Sequence, residues 1–260
     1  MKKITIEEKR SILLEMLQEV DTFCRSHKIR YSLSSGTLIG AILHKGFIPW
    51  DDDLDITMPL PDMLCFKEEF VSAKIKYCDV DTERNHFFQF SRLVYLPTYS
   101  KVGVFNNKGL GVNIDVYPIV GLPSDEKDRD SYFKQAMKLY SRRKPLMKLS
   151  RGIRKLTPLN CFPGTRQIVR EYRDWVLFRS NPYEKSECFF RIADAMKPNI
   201  IKLDILDFDL FDRLIELPFE NVMCKATAHY HKYLTQKYGD YMQFPPESER
   251  VSKHEIDYWR

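Results

Sequence analysis

Apolar residues recur along the chain with two different spacings, which separate predicted helices from predicted strands. In residues 6–26 they return every three or four positions, which predicts an amphipathic helix. A second, shorter helix is predicted over 37–43, where an apolar run follows small and polar residues. Strand-like runs lie at 30–34, 54–58, 75–81, 86–95 and 112–119.

The second half of the chain begins with a long helical pattern. Residues 125–180 are predicted to be mainly helical, with interruptions at Pro145, Pro158 and Pro163, because proline lacks the helical N–H donor. A β-hairpin is predicted over 213–226, and a helix follows at 226–238. Strands and helices mixed in this way predict an α/β fold.

Four carboxylates lie within five residues at the beginning of the second strand-like run: Asp51, Asp52, Asp53 and Asp55. Like charges this close raise one another's pKa values unless a cation compensates them, and a divalent cation with oxygen ligands is the usual partner. Residues two apart on a strand share a face, so Asp53 and Asp55 are predicted to point the same way. Asp51 joins them if the strand begins early, whereas Asp52 does not.

A further acid, Asp115, lies alone in the apolar run 112–117. A carboxylate in such a run is costly unless it meets a charge, so we expect this strand to pair beside 53–57 and share the metal. Three acids so placed suit magnesium-dependent phosphoryl or nucleotidyl transfer, with Asp115 as acceptor of the proton from the incoming hydroxyl. The alternative is an acidic turn facing solvent. A calcium-binding EF-hand is excluded, because its sixth position needs Gly and is Ile56.

The segment just before the second helix is typical of a phosphate-binding loop. Ser35, Gly36 and Thr37 offer small side chains and backbone N–H groups at a helix start, so we predict phosphate contacts there. Thr37 as a simple helix cap is the structural alternative. Arg92 is unusual in a core strand, and we interpret it as a further phosphate contact.

Composition is that of an ordinary globular protein. The chain has 260 residues, of which 43% are hydrophobic and 30% charged. No apolar run is long enough for a membrane-spanning helix, and the beginning lacks the apolar stretch of a signal peptide. The six cysteines are scattered without a C-x-x-C pair, which indicates reduced thiols rather than a zinc site or disulfides. We therefore expect a cytoplasmic protein.

Positive charge is concentrated in one stretch, residues 134–170, which contains eleven Lys and Arg and no Asp or Glu. Its apolar residues keep helical spacing, so it can dock on an anionic membrane surface. The alternative is a solvated helix face whose apolar side packs on the catalytic core. No nucleic-acid partner is expected, because no nucleic-acid reading motif accompanies the charge.

Three segments of the chain, residues 35–56, 113–119 and 237–250, resemble the LicD family of phosphocholine transferases, relatives of the fukutin-type phosphotransferases. They occur in the family's order and span nearly the whole chain. The resemblance implies a nucleotidyltransferase-like mixed β-sheet with flanking helices and a helical subdomain. We expect a single catalytic domain over 1–260, with a core of about 1–124 and 201–250 and a basic helical subdomain of about 125–200.

The resemblance also implies the chemistry. Asp53 and Asp55 hold the metal with Asp51 in support, Asp115 is the separate strand acid, and the metal is Mg²⁺, or Mn²⁺ in its place. The donor is a CDP-activated alcohol, above all CDP-choline. The acceptor is a hydroxyl of a cell-surface glycan of the lipopolysaccharide, teichoic acid or capsule type, and CMP is released. The family usually has two glycines where this chain has Ser35 and Gly36.

Three rival functions stay open from the sequence. One is transfer of another CDP-linked alcohol phosphate, such as glycerol or ribitol phosphate; another is a nucleotidyltransferase; the third is a scaffold without catalysis. Choline requires aromatic faces, because a quaternary ammonium donates no hydrogen bonds. The aromatic residues nearest the proposed site in sequence, none of them assigned, are Trp50, Phe87, Phe88, Phe90, Tyr95, Tyr99 and Tyr117.

Overall fold

The computed structural model describes residues 2–83, 86, 88–100, 110–152, 165–192, 198–251 and 256–260. The α-helices among them are α1 (Ile6–Ser26), α2 (Ser35–Leu43), α3 (Leu60–Glu69), α4 (Glu126–Gly152), α5 (Thr165–Phe178), α6 (Pro198–Asp204) and α7 (Tyr230–Tyr238). The strands are β1 (Ser32–Leu33), β2 (Asp55–Pro59), β3 (Ile75–Cys78), β4 (Ser91–Tyr95), β5 (Tyr99–Ser100), β6 (Asn113–Leu122), β7 (Cys188–Arg191), β8 (Ile205–Leu206), β9 (Leu214–Phe219), β10 (Val222–Thr227) and β11 (Tyr258–Trp259).

A mixed sheet forms the centre of the molecule, which confirms the α/β prediction. Its strand order is β1-β2-β6-β4-β3, and the far half of β6 pairs with β7, which in turn pairs with β8. β2 and β6 are parallel, while the other pairs in this sheet are antiparallel. The predicted hairpin is confirmed as β9 and β10, which form a separate two-stranded sheet.

The first helix is confirmed at the predicted bounds, and its beginning is set by local chemistry. Thr5 caps α1, and the Glu8 side chain bonds back to the Thr5 backbone, so two N–H groups at the helix start are satisfied. Leu13, Met16 and Leu17 on its apolar face are completely buried in the main core. This burial anchors α1 on the sheet beside the acidic segment.

The predicted interruption at Pro145 is wrong, because α4 continues as a helix to Gly152. In the turns before Pro145, α4 packs on α5. Tyr132 on α4 donates its hydroxyl proton to the Val176 carbonyl on α5 at 2.7 Å, and the Tyr140 and Tyr172 rings are 5.5 Å apart. The other predicted interruptions, at Pro158 and Pro163, lie outside the described residues.

One strand of the central sheet, β7, falls inside the segment predicted as a helical subdomain. Residues 188–191 pair with 119–122 of β6, so this part of 125–200 belongs to the sheet. A four-residue strand between longer helical patterns is too short for periodicity to separate from its neighbours. The division into core and subdomain stays a prediction.

The basic stretch uses part of its charge internally. Arg142 pairs with Glu171, Arg166 donates to the backbone carbonyls of Val80 and Asp81, and Arg170 pairs with the Asp81 carboxylate. The apolar face at the beginning of α4 is buried through Phe133 and Ala136, as the solvated-face alternative requires. No helix in the described part of the chain is long and apolar enough to cross a membrane.

Candidate active site of the acidic strands

The parallel pair of β2 and β6 brings two of the predicted acids side by side. Asp55 is the register partner of Asp115, and the Asp115 N–H donates to the Leu54 carbonyl at 2.9 Å. The predicted pairing of these strands is therefore confirmed. Leu54 and Ile56, which alternate with the acids, are fully buried. This alternation leaves the carboxylates at the edge of the core.

The remaining acids of the cluster divide as the sequence predicts. Asp51, Asp53 and Asp55 line one cavity of about 580 Å³, together with Ser35 and Gly36. Asp52 is buried elsewhere and accepts a hydrogen bond from Lys9 Nζ at 2.8 Å. Among the residues that the structure describes, no three His, Cys, Asp or Glu side chains are grouped closely enough to form a metal site as they stand. The ligand set of Asp51, Asp53 and Asp55 stays a prediction.

The electrostatics of the cavity favour the binding of a cation. Burial raises the pKa of Asp55 well above its ordinary value, and the charges of Asp53 and Asp115 raise it further, while Arg191 lowers it. Burial and Asp55 likewise raise the pKa of Tyr117. A divalent cation among these carboxylates would compensate the repulsion, and their oxygens are the donors that Mg²⁺ prefers. The residues present therefore fit the expected metal.

Asp115 is held by two donors on one of its oxygens. Arg92 Nε donates to Asp115 Oδ1 at 2.8 Å, and Asn113 Nδ2 donates to the same atom at 2.7 Å. Arg92 is the register partner of Asp115 on β4, and its guanidinium also lies 4.4 Å from the centre of the Phe88 ring. The structure places Arg92 against the acid, whereas its phosphate contact stays a prediction.

The predicted phosphate loop packs directly on the acids. Thr37 Oγ1 accepts the Asp55 N–H at 2.9 Å, so its hydroxyl positions the start of β2 and does not cap α2, whose N-cap is Ser34. Gly36 packs closely on the acids, since a Cβ there would lie 3.0 Å from Asp51 Oδ2 and would require the Asp51 side chain to shift. The loop and the acids therefore form one unit.

Arg191, at the end of β7, is a site residue that the sequence interpretation missed. It is 2% exposed, its guanidinium stacks 3.9 Å from the Tyr117 ring centre, and Nη2 donates to Ser35 Oγ at 3.0 Å. Ser35 has a backbone φ of 51°, in the region that favours the glycine usual in the family. Asp204 pairs with Arg191 on its other side. In the sequence Arg191 is a single basic residue within an apolar run. The same feature indicated Arg92 as a site residue.

Arg10 on α1 binds the backbone of the acidic loop, residues 48–53. Its guanidinium donates to the backbone carbonyls of Ile48, Pro49 and Asp51 at distances from 2.6 to 3.1 Å. Because all three acceptors are backbone atoms, no side-chain pattern in the sequence pointed to this contact. Arg10 therefore fixes the loop that carries Asp51.

Aromatic residues line the same cavity as the acids. Trp50 and Tyr117, from the sequence candidates, line it, and the C-terminal segment adds Tyr238, Tyr241 and Phe244. The candidates Phe88, Phe90, Tyr95 and Tyr99 do not line this cavity, and Phe87 lies outside the described residues. Phe88 and Phe90 stack on each other, and the Phe90 ring lies 4.6 Å from the Tyr117 ring.

The site thus combines acids on a parallel strand pair with a small-residue loop that starts a helix, an arrangement that suits phosphoryl or nucleotidyl transfer. Residues 28–149 match the family model described as "LicD/FKTN/FKRP, nucleotidyltransferase domain". Residues 28–149 therefore form a domain of the LicD family, and this match together with the similarity to a whole protein shows a phosphotransferase.

Similarity to one relative extends over nearly the entire chain. The lipopolysaccharide cholinephosphotransferase LicD of Haemophilus influenzae is 29% identical over 276 residues, covering 98% of this chain and 97% of that protein. Two uncharacterised Rickettsia proteins match shorter stretches. The one from Rickettsia typhi is 37% identical over 68 residues, which is 26% of this chain and 22% of that protein. The one from Rickettsia prowazekii is 41% identical over 56 residues, which is 21% of each chain.

Proposed function

We propose that this protein transfers phosphocholine from CDP-choline to a hydroxyl of a cell-surface glycan and releases CMP, with Mg²⁺, or Mn²⁺ in its place. The observation that carries the proposal is the register of Asp115 with Asp55, which itself lines a cavity that also has aromatic residues in its lining. End-to-end similarity to a lipopolysaccharide cholinephosphotransferase supports this choice of cargo and acceptor.

Each of the predicted site residues has a proposed role. Asp53 and Asp55, with Asp51 in support, would hold Mg²⁺, which when bound neutralises charge on the donor phosphates. Ser35, Gly36 and Thr37 receive phosphate oxygens near the start of α2.

On the other side of the reaction, Asp115 accepts the proton of the acceptor hydroxyl. Its contacts with Arg92 and Asn113 keep the carboxylate in one orientation for this task.

A panel of CDP-alcohols tests the proposal. The protein is incubated with Mg²⁺, a glycan acceptor, and CDP-choline, CDP-glycerol or CDP-ribitol, and CMP release is measured. We expect release from CDP-choline, and product mass then shows phosphocholine on the acceptor. Faster release of CMP from CDP-glycerol or CDP-ribitol would contradict phosphocholine as the transferred group. A second measurement uses CDP-choline labelled separately in the base and in the choline. Transfer of the base label to the acceptor would show a nucleotidyltransferase instead.

We further propose peripheral contact with an anionic membrane through 134–170, at the inner face of the plasma membrane, where a lipid-linked acceptor would be presented. Lys134, Lys138 and Arg142 are exposed on α4 at intervals of four residues, so they share one helix face. Arg166 and Arg170 are engaged with the loop at Val80 and Asp81, and Arg142 also pairs with Glu171, so Lys134 and Lys138 chiefly carry the proposal.

A further inference from the structure

Three rings meet at one corner of the cavity. The Trp50 and Phe244 ring centres are 6.3 Å apart and their planes are nearly perpendicular, at 84°. The His44 ring completes the corner, 6.4 Å from Trp50 and 5.5 Å from Phe244. All three residues line the same cavity as Asp51 and Asp53. The corner therefore presents two aromatic faces at a right angle, close to negative charge.

A cation of the chain itself already lies on these faces. The guanidinium carbon of Arg250 is 5.6 Å from the Trp50 ring centre and 5.7 Å from the Phe244 ring centre. Its Nε donates to the Pro245 carbonyl at 2.9 Å. Within the described residues, no carboxylate is in ion-pair distance of Arg250. The rings are thus its chief neighbours, and one hydrogen bond holds it there.

We propose that Trp50, Phe244 and His44 bind the trimethylammonium group of the donor, and that Arg250 occupies this position until the donor displaces it. The inference rests on the proposed function, since it identifies where the choline end of CDP-choline lies. A quaternary ammonium donates no hydrogen bonds and is held by aromatic faces. Arg250 is a cation already held on these faces and, having a single hydrogen bond, is readily exchanged.

Equilibrium binding in the presence of Mg²⁺ tests the proposal without requiring turnover. Calorimetry compares CDP-choline with CDP, which lacks the ammonium. Phe244→Leu should weaken CDP-choline binding about tenfold and leave CDP binding unchanged, because a cation–π contact is lost. Phe244→Tyr, which keeps an aromatic face, should retain the affinity. Phe178→Leu is the matched control, since Phe178 is 54% exposed and Phe244 52%, and Phe178 lies outside the cavity.

Arg250→Gln tests the exchange. Removal of the internal competitor should tighten CDP-choline binding by about threefold and leave CDP binding unchanged. Weaker binding of both ligands by this variant would show that Arg250 contacts the phosphates, and would overturn the exchange. Equal loss of CDP and CDP-choline affinity in Phe244→Leu would overturn the proposed aromatic site for the trimethylammonium group, here called the cage.

The two proposals fail in different ways. If the wild-type protein releases CMP from CDP-choline but Phe244→Leu binds it normally, the cage alone is wrong. If the wild-type protein binds CDP-choline no more tightly than CDP-glycerol and releases CMP only from CDP-glycerol, the choline cargo is wrong, and the cage with it.

Discussion

Asp55→Asn replaces a buried carboxylate among like charges with a neutral side chain of nearly the same shape. The folded state raises the pKa of Asp55, chiefly by burial and then by the charges of Asp53 and Asp115. Stability from this group is complete below its unfolded pKa of about 3.9 and is lost as pH rises through the higher folded value. Without metal at pH 7, Asp55→Asn should therefore raise the free energy of unfolding, by about 1 to 2 kcal/mol.

Mg²⁺ should reverse the order of thermal stability of the wild-type protein and Asp55→Asn. At a concentration of 100 times its Kd, a ligand stabilises the folded state by about 2.7 kcal/mol. For a protein of this size that raises Tm by about 5 to 11 °C, at about 2 to 4 °C per kcal/mol. Because Asp55→Asn lacks one of the proposed metal ligands, its Tm should rise much less on addition of Mg²⁺. Thermal unfolding in EDTA and in Mg²⁺, at pH 7 and at pH 4, measures both effects, and the metal-free gain should disappear at the lower pH.

Asp52→Asn is the control from the same run of acids. Asp52 pairs with Lys9 at 2.8 Å, and the two side chains are 9% and 10% exposed. Breaking a buried pair costs about 3 to 5 kcal/mol, so this variant should unfold earlier but retain the Mg²⁺ shift. A lower metal-free Tm for Asp55→Asn would refute the reasoning, as would a Mg²⁺ shift lost from Asp52→Asn and kept by Asp55→Asn.

Four other changes probe the site and the surface. Asp115→Asn should lower turnover by about 10² to 10⁴ with donor affinity retained, and a collapse of affinity would make Asp115 a metal ligand instead. Gly36→Ala places a methyl carbon 3.0 Å from Asp51 Oδ2 and should lower turnover about tenfold, with Tm nearly unchanged; normal turnover would contradict the tight packing. Arg10→Lys cannot reach three carbonyls at once and should raise the Mg²⁺ concentration needed for half-maximal rate, whereas an unchanged requirement would leave Arg10 a purely structural role. A triple Gln variant should sediment less with anionic vesicles than the wild-type protein at 0.1 M salt, and equally at about 1 M; equal sedimentation of the wild-type protein with neutral vesicles would refute membrane docking. The three residues replaced in it are Lys134, Lys138 and Arg142.

The parts of the site that sequence predicted are those governed by local rules. Alternation of acids with Leu54 and Ile56 showed which carboxylates share a face, and Asp52 was correctly separated from them. The pairing of β2 with β6 followed from a physical requirement, because Asp115 in an apolar strand needs charged neighbours.

The parts that sequence did not predict depend on contacts between distant segments. Arg10 binds backbone carbonyls, which no residue pattern reveals. Arg191 reaches Ser35 only because β7 joins the far half of β6, a pairing that periodicity of a four-residue strand cannot indicate. Pro145 lies within α4, although proline has the lowest helix propensity of all residues.

The cavity is lined by segments that lie far apart along the chain, and this sets the order in which its parts are made during synthesis. Ser35 and Asp51 line it from one segment, while Tyr241 and Phe244 line it from a later one. Because the N-terminal part of a chain is made first, the acids leave the ribosome long before this later segment. A nascent chain therefore displays clustered carboxylates before the segment with Tyr241 and Phe244 has been made, and the cavity is completed only after that segment follows.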